Sequence, residues 1–137
     1  MTAALSIPRH IFDAMIAYCR EGYPNEACGI LAGRDNAISD IYNMTNTERS
    51  TVSYLMDASE QFRVIKELRE KHLSMVAIFH SHPSSPAGPS DKDVALAFYE
   101  DAFYLIVSLM GDEPVVKGFS IREGKIAEIE ISVREVR

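Results

Sequence analysis

Met75-Val76-Ala77-Ile78-Phe79-His80-Ser81-His82-Pro83 lies near the middle of the chain. Its first five residues form an unbroken apolar run, the pattern of a central strand covered on both faces. The run leads straight into His80-Ser81-His82, where the two histidines stand at i and i+2 and so project from the same face of the strand. Ser81 points to the opposite face and is assigned no chemistry. Pro83 has no backbone donor and ends the ladder there. Ser84 to Pro89 contains two prolines and a glycine and reads as a loop.

Outward from this strand, helices and strands are both expected. Ile11, Phe12, Met15, Ile16 and Cys19 mark one face of a helix that Gly22 and Pro24 end. Ala27 to Gly33 is a short, glycine-bounded apolar strand, and Ala37 to Met44 and Thr51 to Met56 read as two more. Ala58 to Leu73 has helical spacing, with Phe62, Ile65, Leu68 and Leu73 on its dry side. Ser90 to Tyr99 reads as a short helix. Tyr104 to Met110, Val115 to Ser120 and Ile126 to Val133 read as strands separated by Gly111-Asp112 and Glu123-Gly124 turns. The fold class is therefore α/β or α+β, a central mixed sheet flanked by about three helices, in one domain over residues 1–137.

Composition narrows the function classes. The 137 residues are 47% hydrophobic and 25% charged, the balance of a soluble globular chain. A net charge of -6 without a basic stripe argues against nucleic-acid binding. Met1 to Arg9 lacks the basic and apolar regions of a signal peptide. No apolar run reaches the roughly 20 residues of a membrane span. Cys19 and Cys28 form no CxxC pair and read as reduced, buried thiols, so a cytoplasmic location without membrane attachment is expected.

Chemistry concentrates in His80, His82, Asp93 and Glu26. Two imidazoles and a carboxylate suit Zn²⁺, and three protein ligands leave a fourth position for water, the arrangement of a catalytic site. Each part also has a plainer reading. The histidines could be core residues with satisfied hydrogen bonds. Ser90-Asp91-Lys92-Asp93 resembles a capping box, with Ser90 as N-cap and Asp93 reaching back. Glu26 could be an ordinary carboxylate where a loop enters a strand. Cys28, two residues after Glu26, could share its face as a thiolate ligand, although its apolar surroundings favour a neutral thiol. His10 and His72 fall on helices and read as surface residues.

The combination is more specific than its parts. His80-x-His82-Pro83, six residues, Ser90, two residues, Asp93, with Glu26 upstream, resembles the signature of the JAMM/MPN metalloprotease family. Asn25 to Gly33 also resembles that family's glutamate-bearing strand, and the likeness runs from about Ile7 to Ile121. The resemblance implies a JAMM/cytidine-deaminase-like fold and one zinc per chain held by His80, His82 and Asp93. It further implies Glu26 as the general base that serves the attacking water and the leaving amine, and Ser90 as oxyanion donor. The chain is too short for ubiquitin-gripping insertions and is similar to the stand-alone prokaryotic members. Those are associated with small ubiquitin-like sulfur-carrier proteins, whose C-terminal tails they trim or free of an attached amino acid. Two other classes are weighed against this. A non-catalytic MPN-type module binding a ubiquitin-like partner would lack the ligands, which are present here. A zinc nucleobase deaminase would bring His-x-Glu and Pro-Cys-x-x-Cys, and neither occurs.

Overall fold

The computed structural model describes residues 4–135. Ten elements follow in the order β1 (Ala4–Pro8), α1 (Arg9–Gly22), β2 (Cys28–Arg34), β3 (Ala37–Met44), α2 (Ala58–Lys71), β4 (Ser74–His82), α3 (Asp91–Ala95), β5 (Phe103–Ser108), β6 (Val115–Arg122) and β7 (Lys125–Arg134). The strands form one mixed sheet in the order β1-β3-β2-β4-β5-β6-β7. Its ends meet because β1 pairs in parallel with β7 along its length and touches β3 at Ser6 and Ala37. No helix among the described residues is long and apolar enough to cross a membrane.

The apolar run proves central, with β2 antiparallel on one side of β4 and β5 parallel on the other. Alternation then divides its side chains between two cores. Ala77 and Phe79 join Leu5, Ile7, Ile11, Met15 and Leu31 beneath α1. Ile78 joins Cys28, Ile30, Met44, Tyr104, Ile106 and Phe119 on the other face. That second face also carries His80 and His82, both buried. Gly29 in β2 is required by this packing: a Cβ there would stand 2.3 Å from the Phe79 ring and 2.7 Å from the Tyr42 carbonyl. In α2, the Asp57 side chain accepts from the Glu60 N–H as N-cap, and His72 closes the helix in the left-handed region at φ 57°.

Two expectations need correction, and one element is added. Thr51 to Met56 forms no strand; it is turn and loop, and its one bridge is the isolated Asn46–Met56 pair among the described residues. The physical reason is Asn46. Its Oδ1 accepts from the Glu48 and Leu55 N–H groups and its Nδ2 donates to the Ser53 carbonyl, so side-chain bonds replace a ladder. Ala4–Pro8, not anticipated as an element, is β1, with Leu5 and Ile7 fully buried. The helix expected through Tyr99 stops at Ala95.

Candidate metal centre

The site is assembled at the C-terminal end of β4. His80 and His82 stand one alternation apart, and α3 brings Asp93 over them from the loop side. The Asp93 Oδ2 atom lies 3.2 Å from His80 Nε2 and 3.0 Å from His82 Nε2, and the two Nε2 atoms are 3.2 Å apart. Such a triangle is close to one face of a tetrahedron around zinc, whose edges are about 3.3 Å for bonds of about 2.0–2.1 Å. The three donor atoms therefore fit one small cation.

Neighbouring groups fix the donors. His82 Nδ1 lies 2.8 Å from the Pro86 carbonyl and donates to it, which turns the ring so that Nε2 faces Asp93. The His80 ring stacks on Tyr54 with centroids 4.5 Å apart. Ser90 and Asp93 form a reciprocal capping box: Ser90 N–H donates to Asp93 Oδ2 at 2.9 Å, and Asp93 N–H donates to Ser90 Oγ at 3.0 Å. The capping reading and the metal-ligand reading of Asp93 thus share one oxygen. Ser90 Oγ, used there as an acceptor, keeps its own proton free to donate, and Ser90 is exposed.

Electrostatics follow from burial and proximity. Burial pushes His80 below the ordinary imidazole value, which Asp93 only partly offsets. His82 is also disfavoured as a cation by burial, but its bonds to Asp93 and Pro86 raise it overall. Burial acts to raise Asp93, yet hydrogen bonds from His80 and His82 hold it well below the usual carboxylate range. Neutral His80 and ionised Asp93 are the forms that ligate a cation.

Glu26 lies two residues before Cys28, where the chain enters β2. Its backbone is pinned twice: the Glu26 N–H donates to the Ser50 carbonyl at 2.8 Å, and Asn46 Nδ2 donates to the Glu26 carbonyl at 2.9 Å. The next residue is pinned to β4, since Ala27 N–H donates to Ser81 Oγ at 2.8 Å. The Glu26 carboxyl is buried, and burial pushes its pKa up to about 7, with His82 pulling it down and Asp93 pushing it up. Its Oε1 and His80 Nδ1 are buried without a hydrogen-bond partner among protein groups. A buried carboxyl oxygen without a protein partner, in a group that feels the charges of His82 and Asp93, is available to a bound water or substrate.

Of the residues singled out from sequence, His80, His82 and Asp93 converge, Ser90 joins them through the cap, and Glu26 lies close enough to feel His82 and Asp93. Cys28 pairs beside His80 in the sheet but stays outside the donor triangle; burial drives its thiol up to about 12. His10 and His72 are exposed. Sequence reasoning missed Tyr54, Asn46 and the Pro86 carbonyl. It also gave Ser81 no part, whereas Ser81 ties the Glu26 strand to the histidine strand. Asn46, between two threonines, carries a turn-former's signal; the other three have none that spacing could reveal.

A mixed sheet of this kind, with a His–His–Asp triangle over the end of its middle strand, is the plan of the JAMM/MPN peptidase class. The chain belongs to the family described as prokaryotic homologs of the JAB domain, whose model matches residues 8–122. It is 35% identical over 134 residues to a CysO-cysteine peptidase of Mycobacterium tuberculosis, covering 96% of this chain and 92% of that one. It is 31% identical over 132 residues to a desampylase of Pyrococcus furiosus, covering 96% and 91%. Among solved structures, a Desulfitobacterium hafniense protein determined in solution matches with a TM-score of 0.88 and 36% identity, covering 96% of this chain and 94% of that one.

Proposed function

We propose that this enzyme is a zinc-dependent peptidase or isopeptidase. It cuts an amide bond at the C-terminal tail of a small ubiquitin-like sulfur-carrier protein, either within the tail or between the tail and an attached amino acid. The observation that carries the reading is the Nε2–Nε2–Oδ2 triangle with sides of 3.0 to 3.2 Å, beside a buried carboxyl whose Oε1 has no protein partner. The relatives' names support the substrate class, since one acts on a CysO-cysteine conjugate and another is a desampylase. Two buried thiols held in the neutral form suit action in the cytoplasm, with no need for membrane or nucleic acid.

In this reading His80, His82 and Asp93 would hold one zinc per chain. When bound, zinc supplies Lewis acidity and makes water acidic enough to deprotonate near neutral pH. The chain's own residues do the rest. The Glu26 carboxylate takes the proton from the attacking water at Oε1 and later delivers it to the leaving amine nitrogen. The Ser90 hydroxyl, its oxygen already accepting from Asp93 N–H, donates its proton toward the oxyanion that forms from the scissile carbonyl. Pro86 and Ser90 keep the histidine and the aspartate oriented throughout. An extended tail laid along the cleft would be held by main-chain hydrogen bonds, which favours glycines next to the scissile bond.

The test is intact mass of a carrier protein bearing one amino acid amide-linked to its tail, before and after incubation with zinc-supplemented enzyme. Loss of that amino acid by the wild type, and not by Glu26→Gln, is expected. An unchanged mass with wild-type enzyme across a panel of carriers and tail amides would overturn the reading.

A further inference from the structure

A cavity of about 260 Å³ adjoins the metal centre and takes no part in the mechanism above. Tyr54, Ile78, Leu96, Phe98 and Tyr104 line it, and no charged residue does. Its polar edges are satisfied internally: the Tyr99 hydroxyl donates to Gln61, and the Tyr99 N–H donates to the Tyr104 hydroxyl. Three placements tie this cavity to the site. Ile78 precedes His80 by two residues on β4, so they share a face about 7 Å apart along the strand. Leu96 follows Asp93 by three residues, on the same side of the helical turn. Tyr54 both walls the cavity and stacks on His80. Of its lining residues, Leu55 and Phe98 leave 54% and 73% of their surfaces exposed, so the cavity opens to solvent past two apolar side chains.

We propose that this cavity is a specificity subsite that receives one bulky apolar side chain, leucine-like in size, from the acyl part of the substrate. The inference deepens the peptidase reading and rests on it. Size and chemistry choose the occupant. The volume is below the roughly 300 Å³ at which sites for whole small molecules begin, so it suits a single side chain. A charged group would be desolvated there without a partner.

Position chooses the side of the scissile bond. Glu26 must reach the leaving amine, and it borders a separate cavity lined by Asn25, Met44, Thr45 and Arg49, on the β2–β3 flank. The apolar cavity is on the β4–β5 flank and shares no lining residue with it. The amine departs on the Glu26 flank, and the acyl chain runs across the other. About 7 Å is two extended residues, at about 3.3 Å each, beyond the one whose carbonyl meets the metal centre. The side chain in the cavity therefore belongs to the third residue before the scissile bond.

The experiment is a titration of zinc-supplemented protein with acetylated Leu-Gly-Gly, Ala-Gly-Gly and Asp-Gly-Gly acids, followed through methyl resonances. Leu-Gly-Gly should bind about 10- to 50-fold more tightly than Ala-Gly-Gly, with Asp-Gly-Gly weakest, and should shift Ile78 and Leu96. Leu96→Gln, and separately Phe98→Ala should one variant fold poorly, should shrink that preference at least several-fold. Equal affinities, no binding by any of the three, or shifts confined to other surfaces would overturn the subsite. The matching tail amides then separate the two readings. Hydrolysis at equal rates for all three keeps the peptidase and removes the subsite. Leucine-selective binding without hydrolysis keeps the subsite and removes the peptidase.

Discussion

Glu26 is a carboxyl group placed where burial favours its protonated form, and that placement has a measurable consequence for stability. Its pKa in the folded protein is about 7, against 4.5 for an unperturbed glutamate. Between those values the folded state holds a proton that the unfolded state has released, so stability falls as pH rises through the window. The metal-free protein should therefore lose up to about 3 kcal/mol from this group between pH 4.5 and 7. Urea unfolding in chelator should find Glu26→Gln more stable than wild type at pH 8 and nearly equal to it at pH 4. Equal stabilities at pH 8 would mean that Glu26 carries no such burden. With metal present, the same substitution should leave the ion bound and lower turnover by about 10²- to 10⁴-fold, as removal of a general base does. At this scale much was legible. His-x-His-Pro, Ser90 and Asp93 sit in one stretch whose spacing expresses a strand end and a helix start, so the sequence itself carries their geometry. Tyr54, Asn46 and Pro86 come from loops whose shapes depend on bonds between side chains and distant backbone, and no periodicity records those.

The loop from Asn46 to Met56 shows why element reading failed where it did. Thr51 to Met56 has β-branched and aromatic residues, yet its backbone groups bond to Asn46 rather than to a neighbouring strand. That one amide also holds the Glu26 carbonyl. Asn46→Ala should leave several partly buried backbone groups without partners, at about 1–3 kcal/mol each at most, and should loosen Glu26 as well. Thermal unfolding and turnover measured together should both fall; a variant with wild-type values of both would show that the loop holds itself. β4 makes the opposite case, because an unbroken apolar run between two buried faces admits few alternatives. Gly29→Ala tests the close packing of β2 on β4. A methyl group 2.3 Å from the Phe79 ring should cost about 1–3 kcal/mol or more, read as a lowered unfolding midpoint. β1 escaped notice because five residues running into a helix offer too little alternation to count.

Across the whole molecule, the sheet brings the entry to β2, the end of β4 and the start of α3 together, from positions as distant in sequence as Glu26 and Asp93. The mixed sheet and flanking helices follow from the order of apolar runs. The joining of its two ends through β1 and β7 does not, because pairing partners so distant in sequence leave no local trace. A cation that binds three donors of the folded chain, and not of the unfolded one, stabilises the fold by mass action. At a free zinc concentration about 1,000 times its dissociation constant the gain is about 4 kcal/mol. Zinc should raise the unfolding midpoint of wild type and Glu26→Gln alike, and should leave His82→Ala and Asp93→Ala where chelator puts them. The central claim is that the triangle of His80, His82 and Asp93 is a metal centre that Glu26 serves without being a ligand. Zinc per chain by elemental analysis, for wild type, Glu26→Gln and His82→Ala prepared side by side, tests it most directly. About one zinc is expected in the first two and none in the third. A wild-type protein that takes up no zinc on reconstitution, or a His82→Ala protein that holds as much as wild type, would contradict it.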